Sequence, residues 1–262
     1  FGRWVPGARR TVQTKFGVNG SDVTTAAVRL ARGFTGRQRI GVCTSHPFFS
    51  SHDWFVARTP MDAGVRHGEF EATGSFAFND LSSLELMFAE HPGEYAAIIM
   101  EAENSVAPEP GWFRAVRELC DREGALFILD EVITGFRWHV RGAQHVYNIE
   151  PHLSTFGKGL ANGYPVSALI GDREIMRLGG FVTDRDRVFL LSQTYSAQPW
   201  MMAAVAAVLD THATIDVAHQ LRTAGRRLRD GFAEIVREFG ISDFLAPAGN
   251  DAGLIYITRN RD

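Results

Sequence analysis

The sequence predicts an α/β fold, a mostly parallel sheet with helices on both faces. Two apolar runs, residues 96–100 and 125–129, are too short for helices and resemble strands that are buried on both faces. A helical pattern over residues 111–123 lies between them, so the three segments predict a strand-helix-strand unit with a right-handed crossover. Glu101 and Asp130 directly follow the two runs. Because ligands of open α/β sheets collect at the carboxyl ends of the strands, Asp130 marks the expected site.

The composition predicts a soluble globular protein. The chain has 262 residues, 45% hydrophobic and 22% charged, which suffices for one large core or two domains. A formal net charge of -3 does not indicate a nucleic-acid or membrane partner. No apolar run approaches the ~20 residues of a membrane helix, and no signal-peptide pattern is present. Cys43 and Cys120 lack C-x-x-C spacing, so we expect two reduced cysteines in a cytoplasmic protein.

The start of the first helix has features of an anion site. Residues 1–14 lack clear periodicity and are expected to be a lead-in. A helical pattern follows, with Ser21 or Asp22 as its predicted N-cap and Gly20 just before them. Free backbone amides at such a helix start suit a phosphate group. Taken alone, the pattern favours an ordinary capped helix.

The segments between this helix and Glu101 are predicted from local patterns. Residues 39–43 predict a strand, residues 59–78 a glycine-punctuated surface passage, and residues 81–91 an amphipathic helix. For Glu101 two interpretations have equal support. The carboxylate either assists a site at the strand end or faces solvent.

Two histidines raise the question of metal binding. His46, His52 and Asp53 are residue types that bind metals, and they lie close together in sequence. The i, i+6 spacing of the histidines matches no common metal site. We therefore expect no metal.

Lys158 is the candidate nucleophile. It lies between Gly157 and Gly159 in an otherwise uncharged segment, where small neighbours allow a bulky group to approach. An amine with few competing charges nearby can be partly desolvated, which lowers its pKa and makes it reactive toward carbonyl compounds. The alternative interpretation is that Lys158 is an ordinary surface lysine and that Asp130 caps a helix.

The remainder of the chain predicts further strands and a long helix. Residues 167–171 and 187–191 are expected to be strands. Residues 199–239 have helical spacing throughout and predict a long connecting helix. Residues 253–258 predict one more strand.

Two motifs resemble a known family. Residues 130–137 read Asp-Glu-Val-Ile-Thr-Gly-Phe-Arg, and residues 154–159 read Ser-Thr-Phe-Gly-Lys-Gly. Both resemble class III aminotransferases of pyridoxal phosphate (PLP) fold type I, most closely the branch like glutamate-1-semialdehyde 2,1-aminomutase. The resemblance implies that pyridoxal 5'-phosphate is the cofactor, that Lys158 forms its internal Schiff base, and that Asp130 pairs with the pyridinium nitrogen.

The same resemblance implies a phosphate site and a dimer. Residues 19–22 stand where the family has its phosphate loop, so Gly20 and Ser21 are expected to bind the cofactor phosphate. Thr194 matches a family threonine that binds the phosphate of the neighbouring subunit, although Gln193 replaces the threonine expected before it. We therefore expect a homodimer with Thr194 acting across the interface.

The resemblance also implies groups on both faces of the cofactor ring. The family usually has an aromatic residue followed by His-Gly where this chain reads His-Pro-Phe-Phe from His46. Phe48 or Phe49 is expected to stack on the ring, which adds ~1 kcal/mol beyond burial. Val132 is expected to pack on the opposite face.

The predicted function is PLP-dependent transfer of an amino group on a small amino or oxo substrate, by an aminotransferase or an aminomutase. The alternative is a catalytically silent or fragmentary PLP-fold module that acts as a scaffold or in dimerisation. We expect residues 1–237 to form the PLP-binding large domain, with its amino-terminal segment missing. Residues 238–262 are expected to begin a truncated small α+β domain. The sequence identifies no particular substrate.

Overall fold

The computed structural model describes residues 12–46, 48–188 and 191–258. Within them, seven strands form one sheet in the order β1-β7-β6-β5-β4-β2-β3, and two form a separate hairpin. The strands are β1 (Val12–Gly17), β2 (Arg39–Cys43), β3 (Thr73–Phe76), β4 (Tyr95–Glu101), β5 (Leu126–Glu131), β6 (Leu153–Phe156), β7 (Ser167–Asp172), β8 (Leu245–Ala248) and β9 (Ile255–Thr258). In the large sheet, β7 alone runs against its neighbours β1 and β6. The predicted mostly parallel α/β fold is confirmed.

Helices connect the strands and cover the sheet. They are α1 (Gly20–Thr35), α2 (Asp53–Val56), α3 (His67–Glu71), α4 (Leu81–Glu90), α5 (Trp112–Glu123), α6 (Ala143–Val146), α7 (Arg173–Met176), α8 (Pro199–Thr214) and α9 (Val217–Glu238). Along β7, Leu169 belongs to one apolar cluster with residues of α1, whereas Ala168 and Ile170 belong to a second cluster with residues of α8. Because successive strand residues point to opposite faces, the helices cover both faces of the sheet.

The two central strands bring the acids together. Every residue of β4 and β5 is buried, as the uniform apolar runs predict for strands covered on both faces. The strands are parallel, and their register pairs Glu101 with Asp130. On the other side of β5, Asp130 pairs with Thr155 of β6. The strand-helix-strand interpretation therefore places both carboxylates side by side at the carboxyl edge of the sheet.

The helix α1 begins earlier than its sequence pattern predicts. Its N-cap is Asn19, so the expected caps Ser21 and Asp22 are wrong. The Asn19 side chain accepts a hydrogen bond from the Asp22 N–H, and the Asp22 carboxylate accepts one from the Asn19 N–H. This reciprocal pair is a capping box, which an asparagine forms as well as a serine.

The predicted long helix over residues 199–239 is also wrong, because it is two helices. The axes of α8 and α9 differ by 80°. Ile215 between them is extended, and the Asp216 carboxylate accepts a hydrogen bond from the His219 N–H and caps α9. No single helix of the described residues is long and apolar enough to cross a membrane, and only the bent pair α8–α9 meets the length and composition criteria together.

Other differences concern weakly patterned segments. The predicted surface passage over residues 59–78 contains α3 and the edge strand β3, which pairs in parallel with β2. Arg187 and Val188 form no strand, and the Val188 N–H donates to the Leu178 carbonyl, while residues 189 and 190 lie outside the described residues. Of the expected lead-in, residues 1–11 also lie outside them, and β1 begins at Val12.

Candidate active site

A cavity of about 500 Å³ opens at the carboxyl ends of the central strands. Its wall contains seven of the eight predicted site residues, namely Gly20, Ser21, Phe48, Phe49, Asp130, Val132 and Lys158. These residues come from the start of α1, the loop after β2, the end of β5 and the turn after β6. The fold therefore brings together side chains that are up to 138 positions apart in sequence.

Asp130 is a buried carboxylate on the floor of this cavity. Its Oδ1 accepts hydrogen bonds from the Val132 N–H and the Thr155 hydroxyl, both at 2.9 Å. Neither of these two bonds uses Oδ2. Burial raises the pKa of Asp130 to about 6, against the opposing effects of the two hydrogen bonds and of the nearby Lys158 amine. The helix-cap interpretation of Asp130 is not supported, since the carboxylate binds within its own strand end and a neighbouring strand.

Glu101 lies beside Asp130 in the same cavity. The side chain is buried, so the interpretation of a solvent-facing acid is wrong. The Asn104 amide donates to its Oε2 at 2.8 Å. Burial, followed by repulsion from Asp130, raises the pKa of Glu101 to about 7. The sequence signal for this residue was its place at the end of a buried strand.

Lys158 occupies a strained turn at the rim. It begins a 3-10 turn and has a φ of 39°, in the left-handed region that residues with a Cβ seldom adopt. Desolvation lowers the pKa of its amine, while Asp130 opposes that effect and Arg137 reinforces it. Lys158 is one of only two lysines in the chain, and the other, Lys15, is an exposed residue of β1.

Glycines allow Val132 to fit between two loops. A Cβ at Gly20 would lie 3.2 Å from Val132 Cγ1, and a Cβ at Gly157 would lie 3.3 Å from the same atom. Both distances are tighter than nearly all real contacts of a Cβ. Val132, which follows β5, is thus packed against both the start of α1 and the Lys158 turn. These contacts fix the positions of the two segments relative to the end of β5.

The start of α1 forms another part of the wall. Asn19, Gly20 and Ser21 all line the cavity. The first N–H groups of a helix have no acceptor within the helix and lie at the positive end of its dipole. The Ser21 hydroxyl accepts a hydrogen bond from the Ser51 N–H at 3.0 Å, which ties the helix start to the loop after β2.

The two phenylalanines differ in burial. Phe49 is 2% exposed and packs edge-on against Phe55, whereas Phe48 is 58% exposed at the cavity. His46, just before them, is buried, and its Nδ1 accepts a hydrogen bond from the Glu101 N–H. Burial lowers the pKa of His46 to about 4. His46 therefore fixes the loop to the end of β4 as a neutral ring.

One predicted residue lies outside this cavity, and one residue that was not predicted lines it. Thr194 is exposed and lies outside the cavity lining of the single chain, where its carbonyl accepts a hydrogen bond from the Gln198 amide. Tyr164, which no sequence feature identified, is half exposed and lines the cavity beside Lys158. Tyr164 lies in a loop, where no periodic pattern of apolar residues identifies a residue that lines a cavity.

The chain thus has an α/β fold with a cavity at the carboxyl edge of its sheet and a lysine at the rim of that cavity. The chain belongs to the class-III aminotransferase family, whose family model matches residues 8–243.

Two curated relatives illustrate the range of this family. The chain is 34% identical to the 3-aminobutyryl-CoA aminotransferase of Cloacimonas acidaminovorans over 230 residues, which cover 85% of the chain and 52% of that protein. It is 37% identical to the glutamate-1-semialdehyde 2,1-aminomutase of Halorubrum lacusprofundi over 234 residues, which cover 86% of the chain and 52% of that protein. The chain thus spans about half the length of these relatives.

A solved structure shows the same fold. The FumI protein of Sphingopyxis sp. MTA144, determined in its PLP internal aldimine form, superimposes with a TM-score of 0.80 at 28% sequence identity. The superposition covers 96% of this chain and 58% of FumI.

Proposed function

We propose that this chain binds PLP and is the cofactor-binding part of an enzyme that transfers an amino group on a small amino or oxo compound. The observation that supports this most directly is that Lys158 and Asp130 line one cavity although 28 positions separate them. A catalytically silent scaffold has no comparable support, because both chemically essential side chains are present and face the same space.

The residues of the cavity fit the cofactor. The volume of about 500 Å³ lies within the range of ~300–1,000 Å³ that is usual for small-molecule sites. The two hydrogen bonds of Asp130 use Oδ1, so Oδ2 is available to hold a proton on a ring nitrogen. The start of α1, with Gly20 and Ser21, offers backbone amides to a phosphate.

We propose that Phe48 rather than Phe49 stacks on the cofactor ring. Phe48 has exposed area at the cavity that a ring can cover, whereas Phe49 is already enclosed by protein. Val132 lies on the floor between Gly20 and Gly157 and is the candidate for the opposite ring face.

When bound, PLP supplies an electron sink for the substrate carbon. Asp130 would keep a proton on the ring nitrogen, and the Thr155 and Val132 bonds hold its carboxylate in place. Lys158 would supply the amine that holds the cofactor. As a base and then as an acid, it would also move the proton at the substrate carbon. Its lowered pKa increases the fraction of neutral amine, which is the form that binds a carbonyl group and acts as a base.

The assembly and location are further parts of the proposal. We propose a homodimer in which Thr194 reaches the phosphate of the neighbouring subunit, which its exposure outside the cavity of its own chain permits. Of the described residues, we propose that 12–237 belong to the large domain and that the β8–β9 hairpin belongs to a small domain. Both cysteines are free and buried, which suits a cytoplasmic enzyme.

The presence of only two lysines makes the test direct. The chain is incubated with PLP, reduced with borohydride and digested, and mass spectrometry locates the attached cofactor. We expect the label on Lys158, its loss in Lys158→Ala, and normal labelling of Lys158 in the matched control Lys15→Ala. Equal labelling of both lysines, or no attachment of PLP to the protein, would contradict the proposal.

The reaction type requires a second measurement. The two curated relatives carry the names of an aminotransferase and of an aminomutase. In an activity assay, a requirement for an external amino donor indicates an aminotransferase, and turnover without one indicates an aminomutase.

A further inference from the structure

A second cavity lies behind the Lys158 turn. It has a volume of about 350 Å³ and is enclosed by that turn, the end of α8 and the start of α9. Gly159 and Tyr164 belong to its lining, and Tyr164 lines the first cavity as well. The two cavities therefore adjoin at one tyrosine, and nothing in the proposed reaction uses the second one.

The cavity contains a cation without a counter-charge. Arg137 is half buried and lines it, and its stem passes close to Gly159, where an added Cβ would lie 3.8 Å from Arg137 Cγ. The guanidinium donates to the Ile133 carbonyl at 3.3 Å. In the described part of the chain, no carboxylate pairs with Arg137, and none lines this cavity.

This arrangement is unfavourable for the chain alone. Burial lowers the pKa of Arg137, and no neighbouring acid opposes that effect. A guanidinium nevertheless stays charged in proteins, and buried charges are normally paired. An anion from outside the described chain would offset the free-energy cost of burying this unpaired charge. Guanidinium groups bind carboxylates in a bidentate geometry.

The remainder of the cavity lining indicates what kind of molecule carries the anionic group. Small and apolar side chains of α8 and α9 form most of the opposite wall, and Thr211 and His212 complete it. The apolar residues are Ala204, Ala207, Val208, Val217 and Leu221. Such a wall suits an apolar body of modest size. We propose that the cavity binds a small amphipathic carboxylate, with its carboxylate on Arg137 and its apolar part against α8.

This site is distinct from the proposed PLP cavity and does not depend on the proposed reaction. A ligand held there contacts the back of the Lys158 turn through Gly159 and shares Tyr164 with the first cavity. The proposal therefore assigns a second small-molecule site next to the first.

Phenylacetate is a suitable probe, and phenylacetamide is its uncharged counterpart. Calorimetric titration of the whole chain should show saturable binding of phenylacetate, weakened about tenfold or more in Arg137→Met because a charge-assisted hydrogen bond is lost. Arg137→Lys keeps the charge and should bind with intermediate affinity. The matched control Arg114→Met, at an exposed arginine of α5, should bind as the original chain does.

Two further variants locate the site. Ala207→Trp fills the cavity from α8 without changing Arg137 and should abolish binding. Lys158→Ala should leave phenylacetate binding intact, which separates this site from the PLP cavity. Circular dichroism establishes that each variant is folded before its titration is interpreted.

Several results would overturn the proposal. Phenylacetamide binding as tightly as phenylacetate, or unchanged binding to Arg137→Met, would show that the charge has no role. No saturable binding by the original chain would also overturn it. If Arg137→Met then weakened self-association, the missing counter-charge of Arg137 would belong to a second copy of the chain.

Discussion

The cavity has two unlike walls. The strand wall consists of Glu101 and Asp130, which are buried and hydrogen-bonded at the ends of paired strands. The loop wall consists of Phe48, Lys158 and Tyr164, which are exposed and lie in irregular segments. A strand register fixes its side chains in pairs, whereas a loop side chain keeps rotamer freedom. The comparison teaches that the two carboxylates lie on buried, paired strand ends, whereas Lys158, the proposed reacting group, lies on an exposed turn.

The two walls also differ in electrostatics. Burial raises the pKa of both carboxylates on the strand wall, and the charge of Asp130 raises the pKa of Glu101 further. Desolvation lowers the pKa of Lys158 on the loop wall. A site that places two acids together and an amine opposite them is less stable than an apolar one, which is typical of functional sites.

The largest expected effect distinguishes the two phenylalanines. Phe49→Ala should lower the free energy of unfolding by about 3–5 kcal/mol, because the ring is enclosed and leaves a cavity. Phe48→Ala should change it by less than about 1 kcal/mol, since the ring is already exposed, but should weaken PLP binding. Urea unfolding and a PLP titration measure the two quantities. Equal destabilisation by both substitutions would contradict the assignment of Phe48 to the exposed wall.

The next effect concerns the strand wall. Asp130→Asn keeps an oxygen that can accept the Val132 and Thr155 bonds, so the fold should persist. Loss of the charge should weaken PLP binding about tenfold to a hundredfold, or ~1.4–2.7 kcal/mol. An absorbance titration with PLP measures this. Asp210→Asn, at an exposed acid of α8, is the matched control, and PLP binding by Asp130→Asn as tight as by that control would refute the role of Asp130.

The smallest effect depends on pH. The pKa of Glu101 is about 7 in the folded chain against an ordinary value of 4.5, so the folded state loses stability as pH rises from about 4.5 through about 7. Glu101→Gln removes this loss and can still accept the Asn104 bond. We expect stabilisation of the cofactor-free chain by about 1–2 kcal/mol at pH 8 and almost none at pH 4, measured by urea unfolding.

A matched variant separates this effect from a general change in charge. Glu118→Gln removes an exposed carboxylate of α5 and should leave stability nearly unchanged at both pH values. An equal change in stability at pH 4 and pH 8 for Glu101→Gln would contradict the prediction that burial makes ionisation of Glu101 unfavourable.

The sequence predicted the strand wall more accurately than the loop wall. Uniform apolar runs identify strands buried on both faces, so the positions of Glu101 and Asp130 follow from local pattern and from the rule for strand edges. Tyr164 and the burial difference between Phe48 and Phe49 have no such local signal. The break at Ile215 was missed for a related reason, because helical spacing continues through it and only the Asp216 cap and the packing of two separate helices interrupt it.

The amino-acid sequence by itself determined the α/β class, the two strand ends and the glycine-flanked lysine, because buried strands and glycine turns leave strong local patterns. The tertiary structure decided that Glu101 faces inward, that Phe48 and not Phe49 is exposed, and that Arg137 lines a second cavity. Those properties depend on contacts between segments that are distant in sequence, and burial and charge pairing are set only when the segments meet.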